Sequence, residues 1–301
     1  MPSFSSWLLA ARLRTLPLSI SGILVGSGMA QMDDLFRWDI FILAVLSTLG
    51  FQILSNFAND YGDGVKGTDN EFRVGPARAL QSGLLTTQDL VKGMIVTTVL
   101  TMIAVVALIY TAFGAEDLVL SLLFLFLGIT AIVAAVKYTV GKSAYGYRGM
   151  GDIFVFIFFG LVAVLGCYFL YAKQLGFIQV SPAITIGLLA TAVLHLNNMR
   201  DRVEDEKVGK RTLAVVLGSK LSVQYHIIIV LASILAWSIY LISAEISAVY
   251  YITLFAFVPL LIHLRKVVST EGPDHLDPEL KKVALSTFLL SFLFFVVSIS
   301  I

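Results

Sequence analysis

The sequence predicts an all-α, polytopic membrane protein of about nine transmembrane helices around a central cavity, with cytoplasmic loops capping the working site. Three observations carry that reading. Of 301 residues, 58% are apolar and only 14% charged, and the mean hydropathy is +0.89, outside the range of soluble domains. Uncharged apolar runs long enough to cross hydrocarbon as helices recur along the chain. Finally, the basic residues are distributed with a strong bias between alternate connections.

Residues 3–15 are amphipathic, with Trp7, Leu8 and Ala11 opposite Arg12 and Arg14. They are expected to lie in the membrane interface ahead of the first span. That stretch is read as an anchor rather than a cleavable signal, because later spans already make the chain polytopic. Pro17 opens the first span, near 16–32. The others are expected near 38–58, 91–113, 117–138, 152–171, 180–199, 222–243, 246–264 and 283–301, and residues 1–301 form a single domain. The lone Cys167 falls inside an apolar run, where it reads as a packed intramembrane thiol.

With the N-terminus in the cytoplasm, the inner segments hold 19 of the 21 basic residues, leaving only Arg37 and Lys173 outside. A missed span would scramble that split. The inner connections are also the long ones, so function is expected on the cytoplasmic face.

Two acidic stretches dominate that face. The first runs Ser55-Asn56-Phe57-Ala58-Asn59-Asp60-Tyr61-Gly62-Asp63 and continues to Asp69. The second runs Asn197-Asn198-Met199-Arg200-Asp201-Arg202-Val203-Glu204-Asp205. Asn56, Asp60 and Asp63 fall at i, i+4, i+7, and Asn198, Asp201 and Asp205 at i, i+3, i+7, so each set lines one helix face. Both end spans that run inward, the second and the sixth. Equal parity suggests two parallel four-span halves and a ninth helix, with the clusters meeting across one cavity. Four carboxylates there repel one another without counter-charge. Hard oxygen donors suit Mg²⁺, which gathers few protein ligands when it also holds phosphate oxygens. Asp60, Asp63, Asp201 and Asp205 are therefore the expected metal ligands. The competing reading is that these residues merely cap helix ends, which leaves the repeated face unexplained.

Basic and aromatic residues surround both clusters. Arg78, fixed by the preceding Gly75-Pro76 turn, is the preferred phosphate ligand, with Lys137 next. Lys210 accompanies the second cluster. The loop 137–152 holds Tyr138, Tyr145 and Tyr147 among four glycines, and is expected to fold back over the cavity. Tyrosine faces stabilise cations and their hydroxyls orient aromatic substrates. Asp152 reads either as a helix N-cap or as a substrate contact. His195 reads as a satisfied intramembrane histidine or as a lining residue of an acceptor pocket.

The pattern Asn59-Asp60-x-x-Asp63, then Asn198-x-x-Asp201-x-x-x-Asp205, between membrane spans resembles the UbiA-type intramembrane prenyltransferases over essentially the whole chain. The runs 56–69, 75–78, 145–152, 197–201 and 209–215 are similar to the branch acting on 1,4-dihydroxy-2-naphthoate in menaquinone synthesis. The broad family pattern has a third Asp four residues after Asp63, where this chain has Gly67 and then Asp69. The resemblance implies a Mg²⁺-dependent transfer of a polyprenyl group from its diphosphate to the naphthoate, with loss of CO₂ and diphosphate. Catalytic roles would fall to Asp60, Asp63, Asp201, Asp205, Arg78 and Lys137. Substrate contacts would fall to Asn56, Asn59, Tyr61, Asp69, Tyr138, Tyr145, Tyr147, Asp152, Asn198 and Lys210. The expected setting is a bacterial plasma membrane, with membrane lipid as surroundings, no nucleic acid and no obligate protein partner. Transfer to another aromatic acid such as 4-hydroxybenzoate is the nearest alternative. A secondary transporter is the alternative from another class, and it requires carboxylates near the bilayer midplane. A purely structural membrane protein is the third.

Overall fold

The computed structural model describes residues 2–68, 75–244, 246–269 and 275–301. Among them there is no strand, and nine helical segments are long and apolar enough to cross a membrane. The interfacial helix α1 (Phe4–Ala11) is capped by Ser3 and stops at Arg12, whose φ of 50° turns the chain. The spans follow as α2 (Leu16–Met32), α3 (Trp38–Lys66), α4 (Thr87–Phe113) and α5 (Leu118–Lys137). Next come α6 (Gly151–Ala172), α7 (Val180–Lys207), α8 (Leu213–Ser243), α9 (Ala248–Ser269) and α10 (Leu276–Ser300). The span count and order match the hydropathy reading.

Several boundaries differ from it in ways that matter. Helices α3 and α7 run past residues 58 and 199 to Lys66 and Lys207. Both acidic stretches thus stay helical for two further turns, with Gly67 at φ 72° ending the first. The polarity that ends an apolar run does not end a helix, because Asp, Asn and Arg side chains leave the backbone ladder intact. At the other inner ends, α8 begins at Leu213, with a kink at Gly218, and α10 begins at Leu276. Inside α6 the backbone widens into a π-helix over Phe156–Gly166.

Burial ranks the helices by position. Helix α7 is the most enclosed and α5 the least, so α7 is the axis of the bundle and α5 faces lipid. Close approach of α6 to α7 requires glycine at both contact points. A Cβ on Gly160 would lie 2.6 Å from the Cα of Gly187. The closest helix pairings, α3 with α4 and α7 with α8, are equivalent under the four-span shift. The fourth spans are not equivalent, since α9 makes its main contacts with α10. Cys167 is buried with its sulfur 3.4 Å from Ser27 Oγ, a packed thiol as the sequence suggests.

Candidate active site

The ends of α3 and α7 are joined by the loop between α5 and α6, which folds into a short 3₁₀ turn over Tyr145–Arg148. Tyr147 sits at the junction. Its hydroxyl donates to Asp63 Oδ1 at 2.7 Å and lies 2.9 Å from Thr68 Oγ1. On the opposite side its carbonyl accepts from the Arg211 N–H at 3.2 Å. Lys66 Nζ stands 3.8 Å above the Tyr147 ring and Lys210 Nζ stands 5.5 Å from it, both within cation–π range. Lys210 reaches Asp205 Oδ1 at 3.3 Å.

This arrangement brings Asp63 and Asp205 to one place. Burial works against the Lys210 ammonium, yet Asp63 and Asp205, with smaller contributions from Tyr147 and Asp201, raise its pKa above the ordinary lysine value. Tyr138 occupies the same neighbourhood. Burial raises its pKa first, followed by the charges of Asp152, Asp63 and Asp205. Burial and Asp63 likewise raise that of Tyr147. A close approach makes the junction possible, because a Cβ on Gly62 would stand 2.5 Å from Thr139 Oγ1. That hydroxyl donates to the Ala58 carbonyl at 2.9 Å and reaches Asn59 Oδ1 at 3.3 Å. Thr139 thereby fixes the loop to α3.

The other two carboxylates are oriented differently from the face-to-face picture. Asp60 pairs with Arg12, lies 3.5 Å from Arg78 Nη1, and accepts from the Ala79 N–H at 3.2 Å. Asp201 is gripped by Arg200 through both oxygens, at 2.7 and 2.8 Å. Arg200 also bonds Asp277 on α10 at 2.5 Å. Buried carboxylates need such partners, and arginine supplies two forked donors at once. Neither arginine was singled out from the sequence. Arg200 adjoins the Asp it holds, which is a usable signal, but nothing local links Arg12 to a residue 48 positions away.

The remaining candidates divide as follows. Asn56 spends its amide on the Ala11 carbonyl at 2.8 Å and on Thr15 Oγ1 at 3.1 Å, tying α1 to α3. Tyr61 packs in a small apolar cluster with Ala10, Ala11, Phe57 and Ala79. Tyr145 stacks on Phe154 at 4.0 Å and donates to the Ala134 carbonyl. Lys137 is exposed and forms no ion pair among the described residues, so the structure does not bring it to the carboxylates. Asn198 is buried one turn before Asp201. Asp69 lies outside the described residues. Asp152 is not an N-cap, since Met150 holds that position. Its carboxylate is buried and turned toward His195, 3.3 Å from Nδ1.

Whether the site suits a hard cation can be judged from its oxygen donors. Asp205 Oδ2 is buried without a hydrogen-bond partner among the described residues, and Asp205 lies within electrostatic range of Asp63. A bare carboxylate oxygen beside a second carboxylate fits Mg²⁺. Among the described residues no three His, Cys, Asp or Glu are gathered as a self-sufficient metal cage.

Comparison with known proteins identifies the family. The chain is 39% identical to 1,4-dihydroxy-2-naphthoate octaprenyltransferase of Haemophilus influenzae, over 96% of this chain and 94% of that one. It is 38% identical to the Escherichia coli protein of the same name, over 96% and 93%. Its fold resembles that of a UbiA homolog from Archaeoglobus fulgidus bound to GPP and Mg²⁺. There the TM-score is 0.70 at 15% identity, over 98% of this chain and all of that one. Against the UbiA homolog from Aeropyrum pernix the TM-score is 0.71 at 12% identity, over 94% and 96%. Residues 19–297 match the UbiA prenyltransferase family, and the chain belongs to that family.

Proposed function

We propose that the protein transfers a polyprenyl group from polyprenyl diphosphate to 1,4-dihydroxy-2-naphthoate, with departure of diphosphate and CO₂, giving demethylmenaquinol. The observation that carries this reading is the convergence of Asp63 and Asp205 around Lys210 and Tyr147. It is supported by relatives named for that reaction along nearly the whole chain. The carboxylates sit on helical extensions beyond the apolar spans, rather than at the midplane where a secondary transporter would place them.

Mg²⁺ held by Asp63 and Asp205, with Asp60 and Asp201 as further ligands, would supply Lewis-acid stabilisation of the departing diphosphate. Lys66, Lys210 and Arg78 add positive charge for phosphate oxygens. Tyr138, Tyr145 and Phe154 present ring faces that shield an allylic cation from water. The prenyl tail lies along apolar helix faces, and the bias of basic residues puts the acidic end in the cytoplasm of a bacterial plasma membrane. Membranes containing the protein, offered 1,4-dihydroxy-2-naphthoate and 4-hydroxybenzoate with one prenyl diphosphate and Mg²⁺, test the reading. Prenylated, decarboxylated naphthoate is the expected product. Prenylated 4-hydroxybenzoate alone would overturn the choice of acceptor.

A further inference from the structure

Three of the four histidines, His195, His226 and His263, are completely buried and form a row across α7, α8 and α9. The His195 and His226 rings lie parallel with centroids 6.3 Å apart, and His226 Nε2 meets His263 Nε2 at 2.7 Å. A carboxylate stands at each end. At the far end Glu279 takes His263 Nδ1 at 2.8 Å and is satisfied by Lys282 and Lys266. The near end is only loosely satisfied. By strict geometry both oxygens of Asp152 and the Nδ1 of His195 are buried without a hydrogen-bond partner among the described residues, the Tyr225 hydroxyl being the neighbour within reach of Asp152, and such groups call for an explanation.

The hydrogen positions follow from the partners. His195 Nε2 lies 3.3 Å from the Ser222 carbonyl. A carbonyl only accepts, so Nε2 carries a hydrogen and a neutral His195 would present a bare lone pair at Nδ1. Asp152 Oδ2, 3.3 Å away, is also a lone pair when ionised. Two opposed lone pairs in a dry interior are costly, and one proton between them removes the conflict. The pair is therefore built to hold a proton. It is close to the acid site: a Cβ on Gly151 would lie 3.2 Å from the Tyr138 hydroxyl, and Tyr138 feels Asp152 together with Asp63 and Asp205.

We propose that Asp152 is the acid–base group for the aromatic acceptor and that His195 is its positioning residue. This rests on the prenyl-transfer reading above. With the shared proton on His195 Nδ1, Asp152 Oδ1 accepts the proton of a ring hydroxyl, and the O–H electron pair moves into the ring. The ring carbon that bears the carboxylate then bonds to the allylic carbon as the allylic C–O bond breaks, its electron pair leaving on diphosphate. Departure of CO₂ leaves the C–C pair in the ring, and the ring oxygen takes its proton back from Asp152. No outside proton is consumed. The groups facing the pair are Tyr138 beyond α5, Tyr225 and His226 on α8, and, past Tyr138, Asp63 and Asp205.

The test pairs Asp152→Asn with the two monomethyl ethers of 1,4-dihydroxy-2-naphthoate, using purified full-length protein, a prenyl diphosphate and Mg²⁺. General acid–base groups contribute about 10²–10⁴-fold. Wild type should lose at least about 10²-fold in kcat on one ether, and D152N should lose as much on the natural acceptor but nothing more on that ether. Equal proportional losses on both acceptors, or near-wild-type kcat in D152N, would overturn the proposal. Magnesium-dependent binding of a thiolo prenyl diphosphate checks that each variant is folded. Should D152N fail that check, His195→Gln, whose amide still donates to Ser222, decides by the same cycle: a loss confined to the natural acceptor supports the proposal and a uniform loss refutes it. A wild type that prenylates no naphthoate at all would instead remove the functional reading, and this proposal with it.

Discussion

The two acidic helix ends carry the same residue types at nearly the same spacing, yet within each end the two aspartates live differently. Asp60 and Asp201 are each held by an arginine, Arg12 and Arg200. Asp63 and Asp205 instead face a shared centre of Lys210 and Tyr147. Arginine remains charged and forks onto both oxygens, so the first pair is neutralised within the protein. The lysine and phenol at the second pair leave Asp205 Oδ2 without a hydrogen-bond partner among the described residues. The difference separates the carboxylates already paired with arginine from the two that share a centre.

The largest expected effect breaks that contrast directly. Asp63→Asn or Asp205→Asn should lower prenyl transfer by on the order of 10³-fold, the scale of losing an electrostatic stabiliser of the leaving group. Asp60→Asn and Asp201→Asn should be inactive too, but with an added loss of thermal stability in detergent. Product formation and unfolding temperature, read together, distinguish the two pairs. Excess chelator should abolish turnover in wild type, and restored Mg²⁺ should recover it; turnover that persists in chelator argues against the metal. Arg12→Ala and Arg200→Ala strand carboxylates that keep other partners, so each should cost about 1–3 kcal/mol of stability, seen as a lowered unfolding temperature. The smallest effect belongs to Tyr147→Phe, which deletes one hydrogen bond to Asp63, worth about 1 kcal/mol. Roughly a fivefold fall in kcat/KM and a small fall in the unfolding temperature are expected.

The spans and the two acidic faces were legible because each depends on local pattern: apolar length, helical spacing and charge bias. The helical course of both acidic stretches was legible from the i, i+3/i+4, i+7 spacing, but its ends at Lys66 and Lys207 were not, because hydropathy reports where lipid ends, not where the backbone ladder ends. The partner of Asp60 was illegible for another reason. Arg12 ends the interfacial helix, and only tertiary packing brings it to Asp60, as it brings Asp277 at the start of α10 to Arg200. Asp152 and His195 each carried two open readings in the sequence, and their juxtaposition across α6 and α7 is what gives them a joint meaning. Lys137 shows the converse, a charge at a span end that stays exposed, where inside-positive bias also favours it.

The central claim is that Asp63 and Asp205 serve one binding event from two helices. Binding of a thiolo prenyl diphosphate to wild type, D63N, D205N and the double variant, with and without Mg²⁺, tests it most directly. One shared metal–diphosphate site predicts that either single substitution removes the Mg²⁺-dependent binding and that the second costs little more. Independent, additive losses, or binding indifferent to Mg²⁺, would contradict the account.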